Sequence, residues 1–163
     1  MLLVGCGQTQ STTTKLHVVA SVDFYGEVAQ EVLGKHGTVT SVINDPNVDP
    51  HDYAPTSQIG KTVAKADVLI ANGAGYDSWM TKLANAQPDT PMISAAKVVG
   101  VKNGENEHIW YKPQAMKLMA KALAKRFGKL DPKHKATYTR NAQRYIASLK
   151  PLDEAVAQLK TLG

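Results

Sequence analysis

What most limits the fold of this chain is a rhythm. Four short apolar runs, Leu16 to Val22, Thr38 to Ile43, Asp67 to Asn72 and Pro91 to Val98, alternate with longer segments whose apolar residues recur at helical spacing. Runs that are apolar on both faces suit strands covered on both sides, and strands that take turns with helices build a parallel sheet. The expectation is therefore an α/β domain with a four-stranded parallel sheet. At 163 residues, 43% of them hydrophobic, the chain is long enough to bury a real core.

The segments between the runs read as helices with recognisable ends. Asp23 is placed to cap the first, in which Tyr25, Val28, Ala29, Val32 and Leu33 share a face, and Gly34 and Gly37 close it. Ser57 is placed to cap a second helix, carrying Ile59, Val63 and Ala66. Gly73-Ala-Gly75-Tyr-Asp-Ser78 suggests a dinucleotide turn only superficially. A serine fills the third glycine position, and the turn follows a third strand, not a first. Its glycines suit a tight turn, with Asp77 or Ser78 capping the helix of Trp79, Met80 and Leu83. Pro113 opens a further helix, striped by Ala115, Met119, Ala122, Leu123 and Phe127, and Gly128 is expected to stop it.

Two loops carry the chemistry. The stretch from Asn44 to Ser57 holds three prolines, three aspartates and one histidine, His51. Prolines at 46, 50 and 55 fix their own φ and keep their predecessors out of helix, so this loop can hold one shape without a core beneath it. A well-capped strand-to-helix turn would use the same residues, so His51 gains meaning only if a second ligand meets it. The other loop, Gly100 to Lys112, contains His108 next to the bulky pair Ile109 and Trp110. The two loops follow the second and fourth strands and so leave from the carboxyl edge of the sheet, where α/β folds gather ligands. There the two imidazoles can converge, and neutral imidazole is a ligand for zinc, copper, iron and nickel and, with carboxylates, manganese.

The last segment differs in kind. Asp131-Pro132 starts a helix, and Tyr138, Ala142, Tyr145, Leu149, Leu152, Val156 and Leu159 recur in alternating steps of four and three. Continuous to Leu162, such a helix would reach about 45 Å at 1.5 Å per residue, longer than one small domain can cover. Pro151 should kink it near Ala147 to Lys150. A dimerising coil fits two heptads and a proline poorly, and a strut to a neighbouring domain explains the length better.

Lysine and arginine (19) exceed aspartate and glutamate (14) only mildly, without aromatic interleaving, so nucleic acid is not an expected partner. The densest basic stretch, Lys125 to Lys135, reads as a solvated helix end. Cys6 is the single cysteine and permits no internal disulfide. Leu3-Val-Gly-Cys6 resembles the lipobox at which bacterial lipoproteins are cleaved and acylated, and the polar tract from Gln8 to Thr14 resembles the tether that follows. Of the basic n-region and longer apolar run that a secretory signal needs, only Met1 to Val4 remain, so this reading needs a start further upstream or a trimmed terminus; a chance match also stays open. No stretch has the apolar length to span a bilayer, so attachment would be through lipid at Cys6.

Taken together, Asp49-Pro-His51-Asp-Tyr53 with Pro55-Thr56, Glu107-His-Ile-Trp110 with Pro113, and the long terminal helix resemble one family. It is that of the zinc- and manganese-binding lipoproteins feeding ABC importers, the cluster A-I solute-binding proteins. The resemblance runs from Leu3 to Gly163, and Glu107 stands where the family often has proline. It implies two (βα)4 lobes bridged by a long backbone helix, with metal in the cleft between them. On that pattern His51 and His108 are metal ligands, and the other donors, a His or Glu and an Asp, belong to a second lobe absent here. Residues 1–14 would then be a signal remnant and tether, 15–130 the metal-binding lobe, and 131–163 the inter-lobe helix. The implied function is an extracytoplasmic, lipid-anchored or periplasmic receptor delivering Zn²⁺ or Mn²⁺ to an importer permease. Two histidines and water should bind weakly alone. The lack of a histidine between Gly100 and Glu107, where many zinc members have a His-rich insertion, leans toward manganese or a minimal zinc protein.

The remaining polar residues have plainer readings. His17 lies within a strand and suits a buried structural role; His36 suits a solvated helix end, and His134 the basic turn. Asp49 is expected to cap backbone amides, whereas Asp52 and Glu107 either cap or orient the imidazoles. Two rivals remain beside the receptor. A lipid-anchored surface adhesion or interaction protein on the same scaffold would act by contact alone. An enzyme is the weaker rival, because no nucleophile elbow or His-Glu-x-x-His helix is present and catalytic zinc usually has three protein ligands.

Overall fold

The computed structural model describes residues 15–161. Four strands, β1 (Leu16–Val22), β2 (Gly37–Ile43), β3 (Val68–Ala71) and β4 (Met92–Ser94), form one sheet in the order β2-β1-β3-β4, every pair parallel. The expected α/β lobe is present. Val18, Val19 and Ala20 of β1 and all of β3 are fully buried, as strands covered on both faces must be.

Helices α1 (Asp23–Leu33), α2 (Ser57–Ala64), α3 (Ser78–Asn85), α4 (Ala95–Val99) and α5 (Pro113–Leu130) fill the intervals. Tyr25, Val28, Ala29, Val32 and Leu33 form the buried stripe of α1, and Ala115, Met119, Leu123 and Phe127 that of α5. The fourth strand is shorter than its apolar run suggests: it ends at Ser94, whose side chain accepts from the Lys97 amide and turns the rest into α4. Buried alanines at 95 and 96 read equally well as strand or helix, so the cap decides.

Other end signals are displaced by one residue. Thr56, not Ser57, caps α2 through the Ile59 amide at 3.3 Å. Asp23 is the first residue of α1 and bonds the adjacent Phe24 amide. Gly128 does not stop its helix. It lies buried in the last turns of α5, where a Cβ would stand 2.8 Å from Lys135 Cγ, so its bareness allows the next helix to pack closely.

The terminal segment is a short 3-10 turn, Pro132–His134, then α6 (Lys135–Ser148) and α7 (Lys150–Thr161). The break falls at Leu149, two residues before Pro151, because that proline has no N–H for the carbonyl one turn back. Helix α6 buries Tyr138 and Ala142 against the lobe. The stripe opens in α7, where Leu152 is 49% and Leu159 69% exposed. An ion pair from Lys117 of α5 to Asp153 ties α7 back. Cys6 and the lipobox-like residues lie outside the described residues.

Candidate functional site

The strand order reverses between β1 and β3, and the loops that bear His51 and His108 leave from that carboxyl rim. Each histidine is held by the residue two places before it. Asp49 Oδ1 accepts from the His51 amide at 2.9 Å and from its Nδ1 at 2.8 Å. Asn106 Oδ1 does the same for His108, at 2.9 Å from both the amide and Nδ1. An atom that accepts from a backbone amide is an acceptor, so in each ring Nδ1 carries a proton, and when the ring is neutral Nε2 holds the lone pair. That is the tautomer a metal ion needs at Nε2. The clamp on His108 was not foreseen from sequence, although the shared spacing, Asx two residues before His in both loops, is written in it.

Between the two rings lies Glu107. Its Oε1 is 3.5 Å from His51 Nε2 and 3.9 Å from His108 Nδ1, so one carboxylate oxygen gathers both imidazoles. The Asp49 bond, helped by both carboxylate charges and opposed by burial, raises the His51 pKa above the ordinary imidazole value. The Asp49 carboxyl is held below its usual range by the His51 amide and ring. Glu107 is held low by its own backbone amide and by the histidines, against a contrary effect of burial. The site thus combines two imidazoles with two carboxylates that stay ionised, a field that attracts cations.

The frame beneath is buried and polar. Asn72, at the end of β3 and fully buried, donates to the Glu107 carbonyl at 3.0 Å and accepts from the Tyr25 hydroxyl at 2.5 Å. Asp77, also fully buried, accepts from the Asn72 amide at 2.7 Å, the Gly73 amide at 2.9 Å and the Ser21 hydroxyl at 2.5 Å. Asp77, one of the two residues placed to cap α3, stands at its N-cap position but makes no side-chain cap bond. Its carboxylate instead turns inward and pins the strand-to-helix turn, where Gly73, Ala74 and Gly75 all have positive φ. At Gly73, with φ of 77°, a Cβ would come within 2.4 Å of Ser94 Oγ, so glycine is required.

That turn delivers Tyr76, which meets the His51 ring edge-on at 5.0 Å and Trp110 at 4.8 Å; Trp110 lies 5.2 Å from His108. A continuous path of rings therefore floors both imidazoles, and Phe24 backs Trp110 at 4.7 Å. Trp110 packs against His108, two residues before it, whereas Tyr76 was not anticipated. Asp52 is exposed and its side chain makes no hydrogen bond among the described residues. Among the described residues no group of three or more His, Cys, Asp or Glu side chains is arranged to hold a metal ion. The rim presents two prepared imidazoles, with Glu107 against the nitrogen of one.

The other histidines stand elsewhere. His17 Nδ1 pairs with the Thr38 hydroxyl at 2.9 Å across β1 and β2. His36, expected to be a plain solvated helix end, stacks on His134 with ring centres 3.9 Å apart.

Known proteins share this chain's sequence and fold over most of its length. The chain is 32% identical over 161 residues to the manganese ABC transporter substrate-binding lipoprotein scaA of Streptococcus gordonii, covering 90% of this chain and 52% of scaA. It is 30% identical over 152 residues to the iron-binding protein YfeA of Yersinia pestis, covering 87% of this chain and 48% of YfeA. The chain thus spans about half the length of the curated relatives it matches. Among solved structures, the metal-dependent lipoprotein YcdH of Bacillus subtilis superposes with a TM-score of 0.78 at 27% identity, over 86% of this chain and 54% of YcdH. Zn(II)-bound AdcA of Streptococcus pneumoniae shares the fold with a TM-score of 0.78 at 23% identity, over 89% of this chain and 32% of AdcA. Residues 18–162 match the family model described as ZnuA, zinc-uptake complex component A, periplasmic, and the chain belongs to that family.

Proposed function

We propose that this chain is the metal-binding lobe of an extracytoplasmic receptor that delivers a divalent first-row metal ion, Zn²⁺ or Mn²⁺, to the permease of an ABC importer. The observation that carries the proposal is the pair of matched clamps: His51 and His108 are each fixed at Nδ1, with His108 Nε2 left to a metal and His51 Nε2 facing Glu107, whose carboxylate stands by both rings. The ion is cargo, so weak, reversible coordination suits the task better than a closed structural site. Iron is named for YfeA, among other relatives, and imidazole with carboxylate accepts it too.

On this reading His51 and His108 are ligands, Glu107 and Asp49 orient them and supply negative charge, and residues 131–163 lead to a second lobe with the remaining donors. Glu107 would move from His51 Nε2 as the ion arrives, either to bind it or to stand beside it. A lipid anchor at Cys6 would hold the receptor at the membrane. The family and the relatives' names support a binding and transport role over catalysis. No observation favours adhesion.

The experiment is calorimetric titration of the chain with Zn²⁺ and with Mn²⁺, beside His51→Ala, His108→Ala and the double variant. One-to-one binding that weakens in each single variant and vanishes in the double variant is expected. Equal affinity in the double variant would end the proposal.

A further inference from the structure

Away from the histidine rim, beside the edge strand β4, lies a cavity of about 340 Å³ between the strand with its short helix α4 and the flank of α5. Four cations line it: Lys97 from α4, and Lys125, Arg126 and Lys129 from α5. No carboxylate is among its lining residues, and none of the four makes an ion pair among the described residues. Two other cations have acid partners, Lys117 with Asp153 and Lys150 with Glu154, but most lysines and arginines make no ion pair among the described residues, so it is the convergence of four on one hollow that sets this place apart.

Gathering four like charges around one concavity is unfavourable unless something negative visits it, and the elements add two features that suit an anion. Arg126 is half-buried, so its planar guanidinium stands on a stem already partly immobilised and can present paired donors to an oxyanion. Strand β4 has only β3 as a neighbour, so the backbone N–H groups of its free side face outward, and Met92, Ile93 and Ser94 line the cavity. A sheet edge with unpaired amides beside lysine and arginine is the chemistry that recognises phosphate.

We propose that this cavity is a phosphate-binding site, taking the group free in solution or as the headgroup of an anionic phospholipid. It is separate from the metal rim and independent of the transport reading. A basic helix end is usually just solvated; here two elements and a strand edge bring the charges to one hollow.

The test uses three probes on the full chain at low ionic strength: inorganic phosphate and pyrophosphate by calorimetry, and phosphatidylglycerol in phosphatidylcholine vesicles by co-sedimentation. Two triple variants carry the same loss of charge, Lys97→Gln/Lys125→Gln/Arg126→Gln in the cavity and Lys61→Gln/Lys65→Gln/Lys160→Gln outside it, with far-UV circular dichroism as the folding check. The single variant Lys125→Gln, at an exposed position, guards against misfolding of the cavity triple. Saturable phosphate or pyrophosphate binding, weakened by about tenfold or more in the cavity triple and little changed in the control, supports the site as a free-phosphate site. Vesicle binding without soluble-phosphate binding, lost in the same variant, supports the headgroup. Equal loss in both triples means diffuse charge and overturns the proposal, as does the absence of binding to all three probes.

Discussion

Two pairs of histidines sit at opposite rims of this lobe and are built in opposite ways. At the carboxyl rim His51 and His108 never touch: each is tied at Nδ1 to its own Asx side chain, and both face Glu107. At the other rim, past the ends of α1 and α5, His36 lies flat on His134 at 3.9 Å, and His134 donates to Asp131, which also takes the Tyr138 hydroxyl at 2.6 Å. The first pair is surrounded by acceptors and carboxylates, and the His51 pKa is raised by Asp49. In the second, burial and the neighbouring His134 push the His36 pKa down. Imidazole alone therefore says little about metal. What matters is whether the lone pairs are aimed at a shared, negatively charged point or the rings are stacked as packing.

The comparison breaks most visibly under paired deletion. His51→Ala with His108→Ala is expected to remove the whole rise in melting temperature that saturating Zn²⁺ or Mn²⁺ produces, about 2.7 kcal/mol at a hundredfold excess over Kd. His36→Ala with His134→Ala should lower the melting temperature of the metal-free protein and leave the rise intact. Scanning calorimetry with and without ion separates the two, and a rise that follows His36 and His134 would reverse the assignment.

Next in size is Asn72. Replaced by alanine, it leaves the Tyr25 hydroxyl and the Glu107 carbonyl without their partner, one of them deep in the core. Urea denaturation should show a loss of about 1–3 kcal/mol, the cost of an orphaned buried group. Metal affinity should fall as well, because the backbone carrying His108 is no longer tied to β3. A variant that unfolds more easily yet binds metal unchanged would mean that Asn72 serves the core alone.

These residues divide what could be read from the chain alone from what could not. The strand rhythm was legible because burial on both faces leaves β1 and β3 almost no freedom of composition. The proline-rich loop was legible because proline acts on its own backbone. Asn72, Tyr76 and Asp77 were not, since a polar residue at the end of a strand announces a cap, and only closure of the fold shows its side chain turned inward to serve another loop. The Asn106 clamp lay between: the repeat of Asx two residues before each histidine was visible, but asparagine in a loop has many other uses. The stacking of His36 on His134 joins residues almost a hundred positions apart, which no local pattern reports.

The clamps themselves can be weakened without touching a ligand. Asp49→Ala and Asn106→Ala each free a ring to rotate and to change tautomer, and both positions are exposed, so the fold should hardly notice. Metal affinity is expected to drop roughly 10- to 100-fold in each, as for other residues that orient a metal-binding imidazole. Asp49→Asn, which keeps the acceptor and removes the charge, should fall between alanine and the native residue in a competition titration with a chelating dye. If both Asp49 variants match the parent, the ring is held by something else.

The smallest effect is the most direct reading of the contrast, because the two rims should answer pH with opposite sign. His51, with its folded pKa raised, contributes stability that is complete below the unfolded imidazole value of about 6.5 and is lost as pH climbs through the folded value. His36, with its folded pKa depressed, contributes stability that is present above about 6.5 and is lost as pH falls through its folded value. Proton NMR of the ring hydrogens in metal-free protein should therefore find His51 titrating above the unfolded value and His36 below it. Because protons compete with the ion for His51, metal affinity should also keep rising above pH 6.5 and level off once that ring is neutral. Asp49→Asn should move the levelling point down while leaving the His36 curve where it was; if the two curves shift together, the rims are not independent.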